Sequence, residues 1–73
     1  MPSEQRFSFV ERLLGSNGWR LSRINGSHHI FTKEGRWPIS IPVHGGKVKA
    51  VYVRKIQKLL EEEQQDGGAG PTV

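Results

Sequence analysis

The first apolar stripe lies at Phe7, Val10 and Leu14, spaced i, i+3 and i+7, with Leu13 beside it. That spacing puts four side chains on one face of a helix. Ser3 is placed to cap its start, and Glu4 suits its positive end. Gly15-Ser16-Asn17-Gly18 ends it, because Gly and Asn accept the left-handed cap conformation. The period then shortens. Residues 19–24 are too brief for a helix and predict a strand. Asn25-Gly26 predicts a two-residue type I′ turn, and residues 27–32 the return strand, with Ile30, Phe31 and Thr32 favouring extended backbone. Lys33-Glu34-Gly35-Arg36 predicts a second turn. Residues 37–43 alternate, with Trp37, Ile39, Ile41 and Val43 on one side. Pro38 and Pro42 cannot donate to a ladder, which assigns this strand to an edge. His44-Gly45-Gly46-Lys47 reads as a flexible connection. A second helix is expected to start between Val48 and Ala50, with Val48, Tyr52, Ile56, Leu59 and Leu60 along one face. Glu61, Glu62 and Glu63 continue its composition but oppose the dipole at a helix end, so fraying is expected there.

The order is α-β-β-β-α. Neither helix can bury its stripe alone, so both are expected on one face of a three-stranded antiparallel sheet, an α+β two-layer sandwich with its other face open. Residues 3–63 would form this domain. Residues 64–73, QQDGGAGPTV, show no periodicity and read as a disordered tail.

Composition narrows what such a domain can do. The chain has 73 residues and no cysteine. A domain of this size buries only about 60% of its unfolded surface, so there is no room for a deep cleft or a dinucleotide fold. A disulfide framework and a cysteine–metal site are excluded. No apolar run is long enough to span a membrane, and the first residues lack an apolar signal core, so a cytoplasmic protein is expected. Eleven Lys and Arg oppose seven Asp and Glu, for a formal +4. Four of the acids lie after residue 60, leaving eleven basic against three acidic side chains before it, or +8. A small body with that charge favours polyanions.

The candidate chemistry centres on Ser27-His28-His29. Adjacent strand residues point to opposite faces, so one histidine accompanies Ile30 and the other Phe31; alternation does not say which faces the core. Histidine titrates near neutrality and suits general-base work. Three histidines, counting His44, could in principle hold a metal, but adjacent strand histidines diverge, and no metal site is expected. Ser27 and His28 diverge likewise and lack an orienting acid, which argues against a serine nucleophile. Gly45-Gly46-Lys47 lacks the spacing of a nucleotide-binding loop and suits phosphate contact through Lys47 and Lys49 instead. Trp19 and Trp37 are expected in the core or at its boundary. Tyr52 could stack on a base or pack.

Taken together, Asn17-Gly18-Trp19, Gly26-Ser27-His28-His29-Ile30-Phe31, Ile41-Pro42-Val43-His44-Gly45-Gly46-Lys47 and Val53-Arg54-Lys55-Ile56 closely resemble the HicA toxin family, from about Phe7 to Leu60. The resemblance implies a double-stranded-RNA-binding-domain-like fold and a messenger-RNA interferase of a toxin–antitoxin pair. It also implies a HicB-type antitoxin that covers the active surface. It assigns the catalytic histidine to His28, the first after Gly-Ser, and assigns no role to His29. Where relatives commonly carry Gly before Thr-Leu-Arg, this chain has Val51 followed by Tyr52. The implied activity is metal-independent RNA cleavage with no cofactor. His44 is a possible second acid or base, and Arg20, Arg23, Lys33, Arg36, Lys47 and Lys49 are the expected RNA contacts. The other readings are a non-catalytic, basic double-stranded-RNA-binding module and a domain whose basic face meets an acidic partner.

Overall fold

The computed structural model describes residues 3–69, with side chains as far as Gln64. The elements are β1 (Gln5–Arg6), α1 (Phe7–Gly15), β2 (Arg20–Asn25), β3 (His28–Thr32), β4 (Ile39–Pro42), β5 (Lys47–Val48) and α2 (Ala50–Ala69). Strands β2, β3 and β4 form an antiparallel sheet in that order. The expected α-β-β-β-α order is present, with a two-stranded antiparallel ribbon of β1 and β5 added to it.

That ribbon changes how α1 begins. Ser3 does not cap it. The helix starts at Phe7, and its N-cap residue, Arg6, makes no side-chain cap bond. The Phe7 N–H instead donates to the Gly46 carbonyl at 2.8 Å, so one of the orphan donors at the helix start is satisfied from the β4–β5 connection. The other end follows its glycine. Gly18 takes φ +90°, Gly18 N–H bonds the Gly15 carbonyl at 3.1 Å, and Trp19 N–H bonds the Leu14 carbonyl at 3.0 Å. This pair of bonds is the Schellman pattern, which turns the chain sharply and brings the next residue back against the helix. Trp19 and Leu14 are accordingly both buried.

The core is Val10 and Leu14 from α1, Trp19, Phe31 and Ile41 from the sheet side, Val48 from β5, and Val53, Ile56 and Leu60 from α2. The stripe on α2 is therefore turned from the expected one: Val53 is buried, while Tyr52 and Leu59 are half-buried. Truncating a residue such as Leu14 to Ala would cost about 2–5 kcal/mol, a large share of what so small a domain has.

Three other expectations change. Trp37 is not a core or boundary residue; it is 89% exposed. Pairing starts only at Ile39, so Trp37 and Pro38 lie in the irregular segment before the strand. The turn before β3 is centred on Gly26-Ser27 rather than Asn25-Gly26, because Asn25 pairs with His28. Gly26 alone has positive φ there (+63°), the pattern of a type II′ turn. Finally, α2 runs to Ala69. The expected tail thus falls partly on this helix and partly on residues 70–73, which lie outside the described residues.

Candidate functional site

Strand pairing decides which side each histidine takes. His29 pairs with Ile41 and Phe31 with Ile39, and this series faces the helices. The His29 ring lies against Phe7, centroids 4.4 Å apart and tilted by 53°. Its Nδ1 is 3.3 Å from the Ser27 carbonyl oxygen, which can only accept, so a hydrogen bond there is donated by the ring. His28 is on the opposite side and exposed. One histidine is thus a packed strand residue and the other is free to meet a solute.

The face that carries His28 also carries two arginines, for a reason the alternation conceals. Arg20 and Arg23 are three residues apart and would point to opposite sides of a regular strand. Between Leu21 and Arg23 the register shifts by one residue. With this bulge, Arg20 pairs with Thr32 and Arg23 with Ile30. Thr32, Ile30 and His28 alternate along one face of β3, so both arginines share it. A bulge that re-aims a side chain is a common device near functional surfaces.

His44 and Lys47 are fixed, not flexible. His44 N–H donates to the Lys47 carbonyl at 3.0 Å and Lys47 N–H to the His44 carbonyl at 2.9 Å. Gly45 and Gly46 take φ of +58° and +74°. A two-residue turn of type I′ requires positive φ at both central positions, and Gly-Gly supplies it without strain. The "flexible connection" is therefore a tight turn locked between two exchanged hydrogen bonds.

These elements meet at one opening of about 490 Å³, lined by Ser27, His28, Pro42, His44, Lys49, Val51 and Tyr52. His28, His44 and Lys49 are brought together there. Lys47 is placed at the rim of the molecule, 3.9 Å from Glu4 in an exposed pair. Arg20 lies further along the sheet, in a recess with Gly18, Thr32, Lys33 and Glu34.

Lys33 and Arg36 are held elsewhere. Lys33 Nζ is 3.2 Å from Glu63 Oε1, and Arg36 Nε is 3.2 Å from Glu63 Oε2. The Trp19 indole N–H donates to the same Oε1 at 3.1 Å. Glu63 is 8% exposed. It is the acid that sequence reasoning left in a fraying helix end, and it ties α2 to the β3–β4 turn and to the core tryptophan. The spacing held the signal: Val53, Ile56, Leu60 and Glu63 follow i, i+3, i+7 and i+10, so Glu63 continues the buried stripe. Among the described residues, no cluster of three or more His, Cys, Asp or Glu could hold a metal ion.

The family comparison decides what this geometry belongs to. The family described as HicA toxin of bacterial toxin-antitoxin matches residues 8–62. The chain belongs to the HicA toxin family. The match spans nearly all of α1, strands β2 to β5 and most of α2, so His28, His44 and Lys49 lie within it, while Glu63 falls one residue beyond. Comparison with curated proteins and with solved structures finds no significant match. As a HicA-family chain it is a toxin of a toxin–antitoxin system, and an antitoxin partner goes with that family. Among the described residues, no helix is long and apolar enough to cross a membrane.

Proposed function

We propose that this HicA-family toxin is a metal-independent endoribonuclease of messenger RNA, with His28 as general base. One observation carries the reading: of two adjacent histidines, His28 is the exposed one, and it shares an opening with His44 and Lys49. RNA brings its own nucleophile. Neutral His28 takes the 2′-hydroxyl proton, and the oxygen attacks the adjacent phosphorus. The bond from phosphorus to the 5′ oxygen breaks, leaving a 2′,3′-cyclic phosphate and a 5′ oxygen that needs a proton. His44 supplies that proton. Lys49 stabilises the extra negative charge on the phosphoryl oxygens in the transition state.

Arg20 and Arg23 lie on the His28 face and receive neighbouring phosphates, with Lys47 at the rim. Lys33 and Arg36, expected as further contacts, are engaged by Glu63 and serve to hold the fold. A HicB-type antitoxin would silence the toxin by covering the His28 face, and the reaction would run in the cytoplasm, where messenger RNA is translated.

The test is incubation of the purified chain and of His28→Ala with RNA in excess chelator. Cleavage by the native chain and a loss of about 10² to 10⁴-fold in the variant are expected. RNA left intact by the native chain, or cut equally well by the variant, overturns the assignment. Binding without cutting by both would identify a non-catalytic RNA-binding module.

A further inference from the structure

Beside the histidine opening lies a second depression, between β4 and α2. Its volume is about 370 Å³, and it is lined by Ile39, Ser40, Ile41, Tyr52, Lys55, Ile56 and Leu59. Tyr52 lines both, so the two are neighbours. Its walls are mostly aliphatic. Lys55 Nζ stands 5.7 Å from the Tyr52 ring centroid, a cation over an aromatic face.

The edge of β4 adds a restricted set of polar groups. Val43 N–H donates to the Ser27 carbonyl at 2.8 Å. Backbone groups alternate along an antiparallel strand, so Ile41 and Ile39 turn theirs towards β3, and Ser40 and Pro42 turn theirs outward. Pro42 has no N–H. Along β4, Ser40 therefore supplies the outward backbone donor, with its own carbonyl beside it, while its side chain belongs to the His28 face. An added protein strand needs a regular row of donors, and this edge interrupts it.

We propose that this depression receives one unpaired nucleobase of the RNA, that of a nucleotide flanking the bond cut at His28, with Tyr52 as the positioning residue. The inference rests on the endoribonuclease reading. A base has flat apolar faces and a polar rim. The base stacks on Tyr52 in place of the Lys55 ammonium, its other face meets the aliphatic wall, and its rim meets the Ser40 backbone N–H and carbonyl. Lys55 and Lys49 flank the path of the attached phosphates. Stacking of a base on an aromatic ring is tolerant of base identity, so the polar readers at Ser40 are where any base preference would arise.

The test uses short single-stranded RNAs in which one base at a time is deleted, leaving the backbone intact. Binding is measured by fluorescence anisotropy to the full chain carrying His28→Ala, which keeps the RNA uncut. Deleting one base next to the cut bond is expected to weaken binding about 5- to 150-fold, and deletion elsewhere to have a smaller effect. Adding Tyr52→Ala should erase the difference between intact and base-deleted RNA, while Tyr52→Phe keeps it. The native protein's response to base deletion does not depend on any Tyr52 variant folding. Equal affinity for intact and base-deleted RNAs overturns this inference while leaving cleavage by the native chain untouched. A Tyr52→Ala variant that loses antitoxin binding but keeps the base-deletion difference would give the depression to a protein and also overturn it. Failure to bind or cut any RNA removes both the inference and the activity beneath it.

Discussion

The two ends of β3 contain the same kinds of side chain and use them differently. At its start, His28 shares an open surface with Lys49 and His44, and among the described residues no acid lines it. Just past its end, Lys33 is paired with an acid buried at 8% exposure, which also holds Arg36 and the Trp19 indole. A count of basic residues treats these cations alike. The difference lies in one glutamate contributed from another element. A lysine beside a buried carboxylate is paired and held in place; a lysine beside a histidine and open water still has its field to offer.

The largest effects should separate the two ends most sharply. His28→Ala should cost about 10² to 10⁴-fold in RNA cleavage and leave the melting temperature nearly unchanged, as read by a cleavage assay beside thermal unfolding. Glu63→Ala should do the reverse. Losing the hydrogen bonds from Trp19 and Lys33 and the ion pair with Arg36 should cost about 1–3 kcal/mol, with melting lowered by about 4–8 °C for each kcal/mol, while the folded fraction still cuts RNA. A Glu63→Ala variant as stable as the native chain would remove the distinction. Next comes Gly46→Val. A branched side chain at φ +74° should cost about 1–2 kcal/mol and lower cleavage besides, because the same turn holds His44. Smaller again, Lys49→Ala should reduce the salt dependence of RNA binding by about one phosphate contact, whereas Lys33→Ala should leave that slope unchanged. An equal loss of slope from both would mean that Glu63 does not withdraw Lys33 from the ligand. The smallest effect belongs to the exposed Lys47–Glu4 pair: Glu4→Gln should shift stability by less than about 1 kcal/mol.

Much of this was legible in the chain because the signals were local. The α1 stripe, the meander, the prolines on an edge strand and the start of α2 each follow from neighbouring residues. The histidine pair was legible as a pair, but not its orientation, since that depends on Phe7 and Ile41 from other elements. The bulge between Leu21 and Arg23 left no glycine or proline to mark it, yet it decides that Arg20 and Arg23 share the His28 face. Gly45-Gly46 did carry its signal. Two glycines read as looseness are here the means of a tight turn, because the hydrogen bonds on either side close it. Glu63 was obscured by its neighbours: in a run of three glutamates, only the helical period distinguishes the one that turns inward.

The donor for the Phe7 cap has a consequence in time. Helix α1 leaves the ribosome before β5 and α2, but its opening N–H waits for the carbonyl of Gly46. Trp19 waits longer, for a glutamate 44 residues downstream. His28 likewise emerges before His44, Lys49 and Tyr52, which complete its surroundings. Contacts so distant in sequence cannot form while the chain is still short. The chain therefore exposes His28 well before it can build the surface around it, because that surface is assembled from residues that follow it in the sequence.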